Sequence, residues 1–393
     1  VYIHIVMDRL EIIKGIGEIY NKRSGYKVDL TKRKPILEYK RIPTGIYTID
    51  KHYGGGLPEG QITMLTGLKE SSKSSTACKI IGQIQKKYPD KICIYYDMEG
   101  HLDQRQAQEH GVDLDPEKLL VLQPKDGSAM ADTTMDILDK YPGLIGGIVL
   151  DSVTSCTDHR LEEKSAQDVV IGSYANGMNR FLQVLEQKFR EFSEKEVDRP
   201  TVILINHLRA NMKKANLYAD DYIIAGGEKP KDVSYAILWF NQIKGEESET
   251  ADGTTKEAKT KKFSIRNEKN KLGLAVPKML EYSMVVTHDH EYLKRGEPDE
   301  LSVILNDAKA YGVLKGYQLD SIGVDQRFST KKELDKFLQE NPDVVNLIKI
   351  ANIALYRKSK GLNITNDSEP DFLLGHIGKE IIDEITKKAE EAE

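Results

Sequence analysis

Tryptophan occurs once in these 393 residues, phenylalanine eight times and cysteine three times. Cys78, Cys93 and Cys156 lie far apart, which excludes both a disulfide framework and any close-spaced metal motif. Two of them sit in apolar stretches, where cysteine serves as a small buried hydrophobe; this usage fits a reducing, cytoplasmic compartment. No apolar run reaches the length of about eighteen residues that a membrane helix needs, so no membrane association is expected. The opening residues, Val1–Val6, are too few for a secretory leader and carry no basic residues. Met7 follows them closely, and nothing structural is read from this start. An excess of one charge is also missing. With 57 Lys and Arg against 62 Asp and Glu, the net charge of −5 excludes whole-molecule basicity as an argument for nucleic-acid binding. Any such site must be local, on loops or on one face.

What is present is ordinary for a soluble chain of two or three domains, or of one large domain with appendages: 39% hydrophobic and 30% charged residues, with negative mean hydropathy. Residues 8–36 carry an amphipathic helical pattern (Leu10, Ile12, Ile13, Ile16, Ile19), whose apolar face must be buried on its own core or on a neighbouring subunit. Gln61–Thr66, Ile92–Asp97, Leu119–Gln123, Gly147–Asp151 and Thr201–Asn206 are short runs rich in Ile, Val and Leu. Segments of helical periodicity, such as Ser74–Lys87 and Met178–Phe192, separate them. This alternation predicts an α/β fold with a mostly parallel central sheet, in which ligands sit at the carboxyl ends of the strands. Phe240–Arg266 predicts an antiparallel hairpin with a polar tip. Beyond about residue 290, helices are expected near Glu300–Ala310, Lys331–Glu340 and Asp343–Leu355, followed by an acidic end. The division that results is an N-terminal segment over 1–40, a core over 41–285 and a small α/β or helical C-terminal domain over 286–393.

Between the first predicted strand and its helix lies Gly67-Leu68-Lys69-Glu70-Ser71-Ser72-Lys73-Ser74, with Ser75 next. It follows the phosphate-loop pattern G-x-x-x-x-G-K-[ST], except that Ser72 replaces the second glycine. Loop and helix N–H groups of such a segment point at phosphate oxygens, where the helix dipole also favours negative charge. Lys73 would neutralise the β- and γ-phosphates of ATP, and Ser74 would ligate Mg²⁺. Serine at 72 costs backbone freedom if the loop needs an unusual dihedral. The plain alternative is a Ser/Lys-rich helix start. Three further strand ends favour the nucleotide. Asp151 ends one, where a carboxylate holds the magnesium's water shell. Glu99 follows another, placed to orient or activate water. Asn206-His207 ends a third, placed to sense the γ-phosphate.

Taken in order, these segments resemble the RecA family of DNA recombinases. The resemblance is carried by Ile42-Pro-Thr-Gly45-Ile-Tyr-Thr-Ile-Asp50 and Gly54-Gly-Gly-Leu-Pro58 before the phosphate loop. It continues through Asp97-Met-Glu99-Gly-His101-Leu-Asp103, Gly111–Asp115, Leu119–Pro124, Leu150-Asp151-Ser152-Val153 and Ile205-Asn206-His207-Leu-Arg209. It ends at Asn267-Glu-Lys269-Asn270-Lys271 with Pro277. Ser72 and His207 are departures from the bacterial pattern and are closer in character to phage recombinases of the UvsX type. Gln106 stands where the family stacks an aromatic ring on adenine, so that π-surface is lost, while Asp103 is near enough in sequence to meet the adenine edge.

The resemblance implies a RecA-type phosphate-loop ATPase core, with Lys269 and Lys271 reaching the γ-phosphate of a neighbouring subunit's ATP. As basic residues at i and i+2 of a strand they share a face; an exposed strand with salt bridges is the alternative. Two polar segments stand where the family has DNA-binding loops: Leu161–Gly172 with Lys164, and Arg209–Pro230 with Lys213, Lys214, Gly226, Gly227 and Lys229. Basic side chains and the Gly-Gly turn suit the phosphates of single-stranded DNA. Asp220, Asp221 and Glu228 equally suit a solvated loop. The implied function is homologous recombination in a bacterial or phage-infected cell: the ATP-bound chain self-associates into a helical filament on single-stranded DNA and pairs it with duplex DNA. Single-strand-binding and mediator proteins are implied as further partners. A hexameric helicase motor and a non-exchanging mediator paralogue are the competing readings. His288 and His290 have a metal-compatible spacing but are expected as surface histidines, and Trp239, Met64 and Met98 as core.

Overall fold

The short apolar runs form strands and the segments of 3.6-residue period between them form helices, as their spacing predicts. A computed structural model describes residues 9–32, 39–156, 173–212, 221–243, 259–288 and 290–362. In chain order the elements begin with α1 (Arg9–Ser24), β1 (Arg41–Ile42), α2 (Tyr47–His52), β2 (Leu57–Pro58), β3 (Ile62–Gly67), α3 (Lys73–Lys87) and β4 (Ile92–Asp97). Next come α4 (Gln104–Glu109), β5 (Leu119–Leu122), α5 (Gly127–Lys140), β6 (Ile145–Asp151), α6 (Ser173–Glu194), β7 (Thr201–Ala210) and β8 (Tyr222–Ile224). The chain continues with α7 (Lys229–Val233), β9 (Ala236–Ile243), β10 (Thr260–Asn270), β11 (Met279–Val285), α8 (Leu301–Ala310), α9 (Lys331–Glu340) and α10 (Pro342–Ser359).

The main sheet runs β11-β10-β9-β3-β7-β6-β4-β5, with β8 added antiparallel to β7. From β9 to β5 every pairing is parallel, while β9-β10-β11 is an antiparallel meander. The fold is therefore a mixed α/β sheet that is mostly parallel, and β9-β10 is the predicted hairpin; its tip lies outside the described residues. The central strands bury both faces, so alternate residues feed two cores. Leu65, Tyr95, Val149, Ile203 and Ile205 pack with Ala77, Ile80, Ile81 and Ile84 of α3. Met64, Ile94, Ile148, Leu150, Val202 and Leu204 pack with Met130 and Leu138 of α5 and Phe181 and Leu185 of α6. All three cysteines are buried, as is Trp239, with the Arg266 guanidinium 4.0 Å from its ring centroid.

Helices α8–α10 form a third apolar cluster that takes in Tyr47 from α2. Polar contacts join the same pieces. No side chain of its own caps α2 at Ile46. Instead Glu300, at the start of α8, accepts from Tyr47 N–H at 2.7 Å and Thr48 N–H at 2.8 Å. A carboxylate at a helix N-terminus satisfies orphan donors and meets the positive end of the dipole. Asp307 accepts from the Tyr47 hydroxyl and from the Lys51 amine, both at 2.7 Å. The amphipathic α1 behaves differently. Leu10, Ile12, Ile13, Ile16 and Ile19 all stay exposed, Ile19 at 67%, so the described residues leave much of that stripe open.

Candidate nucleotide site

Parallel pairing sets the ends of β3, β7, β6 and β4 side by side, with Gly67 opposite His207, Asp151 opposite Ile205 and Asp97 opposite Asp151. Gly67 closes β3 so near β9 that a Cβ there would meet Phe240 O at 2.3 Å and Ser71 Oγ at 2.5 Å, so only glycine fits. The loop does require unusual dihedrals. Glu70 has φ 58° and Ser72 φ 71°, both left-handed. For L-residues that conformation costs roughly 1–2 kcal/mol each, which is the penalty foreseen for serine at the glycine position. Leu68, Lys69, Glu70 and Ser74 are exposed, Ser72 and Ser75 half-buried, and Ser71 and Lys73 buried. The Lys73 amine donates to Leu68 O at 2.6 Å and Ser71 Oγ at 3.3 Å. Burial pushes its pKa down to about 8, against the pull of Asp151 and Glu99.

Two clusters of oxygen atoms face this loop. In the first, Asp151 Oδ2 accepts from Ser74 Oγ at 3.0 Å and from the Tyr95 hydroxyl at 2.7 Å. Burial raises the Asp151 pKa despite those bonds. In the second, Glu99 Oε1 accepts from Ser152 Oγ and, at 2.9 Å, from Ser155 Oγ, and lies 3.2 Å from His207 Nε2. Burial would raise the Glu99 pKa; the bonds from Ser152, Ser155 and His207 outweigh it and hold the carboxyl below its ordinary value. Asp97 shapes the turn that delivers Glu99, accepting from His101 N–H at 3.1 Å, Leu102 N–H at 3.2 Å and Gln123 Nε2 at 3.3 Å. Tyr95, Asp97, Ser152 and Ser155 had no assigned role in the sequence reading. Ser152 stood beside Asp151 in a quoted motif, but nothing in the spacing of Tyr95 shows that its hydroxyl meets Asp151.

From His207 a short path leads away from the site. Asn206 is fully buried, accepts from His207 N–H at 2.9 Å and donates to Ala225 O at 2.8 Å, while Ala225 N–H donates to His207 O at 3.1 Å. These bonds pin the residue before Gly226-Gly227, both left-handed at φ 87° and 79°. A Cβ on Gly226 would stand 2.8 Å from Val153 Cγ1, so bulk is excluded there as well. Exposed Arg209 lies at the end of β7, opposite Ile223 of β8. Lys229 pairs with Glu186 of α6. Lys164, Lys213 and Lys214 lie outside the described residues.

The remaining expected residues sit elsewhere. Asp103 caps α4 by accepting from Gln106 N–H at 3.1 Å, and the Gln106 side chain is exposed. Lys269 and Lys271 share a face, as their spacing predicts, and converge on the last carbonyls of α7. Lys269 Nζ donates to Lys231 O and to Asp232 O, the latter at 3.0 Å, and Lys271 Nζ reaches Asp232 O at 3.2 Å. Burial, then the charge of Lys271, lowers the Lys269 pKa. By register Asn270 faces Ala236, which faces Thr63, four residues short of Gly67. At about 3.3 Å per residue the pair lies roughly 13 Å along the strands from the phosphate loop, towards the opposite end of β3 and β9. His288 and His290 follow β11 rather than lying on it, and among the described residues no group of three or more His, Cys, Asp or Glu is placed to hold a metal. No described helix is long and apolar enough to cross a membrane.

Residues 10–286 match the RecA N-terminal domain family, more than half of the chain. The chain belongs to the RecA family. Among its RecA relatives, Protein RecA of Brucella anthropi is 28% identical over 323 residues, covering 81% of each chain. Protein RecA of Agrobacterium fabrum is 26% identical over 330 residues, 83% of each. Protein RecA of Mesorhizobium japonicum is 28% identical over 329 residues, 82% of this chain and 81% of the relative. The RecA domain match begins inside α1 and ends just after β11. It therefore encloses the phosphate loop, Asp151, Glu99, His207 and the lysine pair. The alignments with whole RecA chains are longer than that span.

Proposed function

We propose that this RecA-family chain is an ATP-dependent homologous recombinase that polymerises on single-stranded DNA and exchanges strands with a matching duplex. The observation that carries the reading is the end of β7, where His207 meets Glu99 on one side and Ala225 on the other. One strand end thus touches both the carboxylate suited to orienting water and the segment proposed to hold DNA. In this reading Gly67–Ser75 bind the phosphates of ATP and Lys73 neutralises the outer two. The oxygen-only set of Ser74 and Asp151 fits Mg²⁺, a hard cation that prefers such donors. When bound, that ion supplies charge neutralisation to the phosphates. Glu99 holds the attacking water, and Ser152, Ser155 and His207 hold Glu99. Asp103 and Gln106 are assigned to the adenine side.

Lys269 and Lys271 are assigned to the neighbouring protomer's γ-phosphate, a role supported by their distance along the sheet from their own phosphate loop. The stripe of α1, exposed among the described residues, supports self-association, because such a face is stabilised by docking on a second copy. A head-to-tail contact that does not close generates an open helical filament. In this scheme 1–40 is the oligomerisation segment, 41–285 the ATPase and DNA-binding core, and 286–393 a C-terminal domain. DNA contacts are assigned to Lys164, Arg209, Lys213, Lys214, Gly226, Gly227 and Lys229; for Lys229 this requires release from Glu186.

Electron microscopy of the chain with single-stranded DNA and a slowly hydrolysed ATP analogue tests the assembly, and exchange between circular single strands and linear duplex tests the activity. Continuous helical filaments and exchanged products are expected. Closed rings would replace the reading with a hexameric motor, and filaments without exchange would replace it with a passive paralogue.

A further inference from the structure

Ser72 is the irregular member of the phosphate loop, and its side chain is held from outside the loop. Its backbone has φ 71° and ψ 16° at the N-cap of α3, a conformation in which an L-residue's Cβ crowds the following carbonyl oxygen. The Tyr282 hydroxyl donates to Ser72 Oγ at 3.0 Å, and Ser72 Oγ donates to Met284 Sδ at 3.9 Å. Both roles of the serine hydroxyl are therefore used. Its carbonyl is occupied too, accepting from Thr76 N–H at 2.9 Å and Thr76 Oγ1 at 2.8 Å. Tyr282 and Met284 are alternate residues of β11 and share a face. That strand is an edge of the sheet, separated from β3 by β10 and β9, so sheet pairing alone does not bring them to the loop. Tyr282 is buried and stacked on Phe263, its partner in register, with ring centroids 5.4 Å apart. The phenol cannot turn to solvent without breaking that stack.

We propose that Tyr282 is a positioning residue for the nucleotide site. By its hydrogen bond to Ser72 Oγ it offsets the cost of a left-handed serine and fixes where α3 begins. The start of α3 in turn places the N–H groups and amine of Lys73 and the hydroxyl of Ser74. With glycine at 72 the same dihedrals come without a Cβ penalty, and the phenol has no hydroxyl to hold. Positions 72 and 282 therefore act as a pair. The inference rests on the reading of Gly67–Ser74 as the nucleotide loop.

The test is the dissociation constant of a ribose-labelled fluorescent ADP with magnesium, measured on the full chain. The variants are Tyr282→Phe, Ser72→Gly, Ser72→Ala and the double change Ser72→Gly/Tyr282→Phe. Tyr282→Phe is expected to weaken binding about fivefold, the worth of one buried hydrogen bond. In the Ser72→Gly background the same change should alter binding less than about twofold, because the bond to Ser72 is no longer there to lose. Ser72→Ala keeps the Cβ but not the hydroxyl, and should bind about tenfold more weakly than Ser72→Gly. In ATP hydrolysis the Tyr282→Phe loss should appear in KM rather than kcat. Equal losses from Tyr282→Phe in both backgrounds would make the tyrosine a packing residue and overturn the proposal, as would equal binding by Ser72→Ala and Ser72→Gly. Should Tyr282→Phe fail to fold, the comparison of wild type with Ser72→Ala decides: both carry the Cβ and only the wild type the hydroxyl that Tyr282 holds, so equal binding overturns the proposal. A wild-type chain that binds no nucleotide would instead overturn the assignment of the loop, and this inference with it.

Discussion

Replacing Glu99 with glutamine separates the chemistry of the site from its architecture. Ser152, Ser155 and His207 all meet Oε1, while His101 Nδ1 stands 3.8 Å from Oε2, and glutamine keeps a carbonyl oxygen that can accept from the first three. The side chain is part-exposed, so the change in folding free energy should stay within about 0.5 kcal/mol. The effect on rate is of another order. A positioned carboxylate contributes about 10²- to 10⁴-fold, or about 3–5 kcal/mol of barrier. Glu99→Gln should therefore lower DNA-stimulated phosphate release by at least about a hundredfold, while binding of labelled nucleotide and the unfolding midpoint stay near wild type. The pH dependence follows from the direction of the shift. Since the hydrogen bonds hold the folded pKa below the ordinary value, the carboxylate is already ionised well below neutrality. Its contribution is lost only as pH falls through that depressed value. Between about pH 6 and 9 the rate should show no limb from Glu99. A glutamine variant within about tenfold of wild type would refute the assignment of Glu99.

Lys269→Ala with Lys271→Ala should cost roughly a thousandfold in DNA-stimulated ATPase, the scale of a charge supplied in trans, with nucleotide binding retained; ATPase at the wild-type rate would remove the trans role. Lys213→Ala with Lys214→Ala should weaken single-stranded DNA binding and flatten the plot of log affinity against log salt by about 1.4, at about 0.7 per phosphate contact; an unchanged slope means that these lysines touch no phosphate. Burial pushes the Asp50 pKa up to about 7, although Thr44 N–H at 2.7 Å and Thr44 Oγ1 at 2.8 Å both donate to it. A raised folded pKa means stability that is present below about pH 4 and lost as pH rises to about 7. Asp50→Asn keeps the acceptor and should raise the unfolding midpoint at pH 8 but not at pH 4; equal effects at both pH values would show that Asp50 does not titrate on folding.

Much of the site was legible in the sequence for a physical reason. Phosphate binding needs a glycine at a crowded strand end, a lysine and a hydroxyl at a helix start, and parallel strands place their terminal residues together. Gly67, Lys73, Ser74, Glu99, Asp151 and His207 therefore announced themselves by type and position. The residues that hold them did not. Tyr95 and Tyr282 had no assigned role, and only the packing shows their hydroxyls on Asp151 and Ser72. Glu300 read as a helix start, which it is, but the helix that its carboxylate caps is α2, some 250 residues earlier in sequence. No local pattern encodes a contact of that range.

The sequence by itself determined the alternation of strands and helices, the mostly parallel sheet and the residue types of the candidate phosphate loop, because these depend on side-chain period and on residue type at one turn. The tertiary structure decided how that loop is held. It put Ser72 in a left-handed conformation beneath the Tyr282 phenol, set Lys269 and Lys271 at the end of the strands opposite their own candidate phosphate loop, and, among the described residues, left the apolar stripe of α1 exposed. Each of these depends on which distant strands become neighbours and at what register, and register follows from packing both faces of a sheet at once.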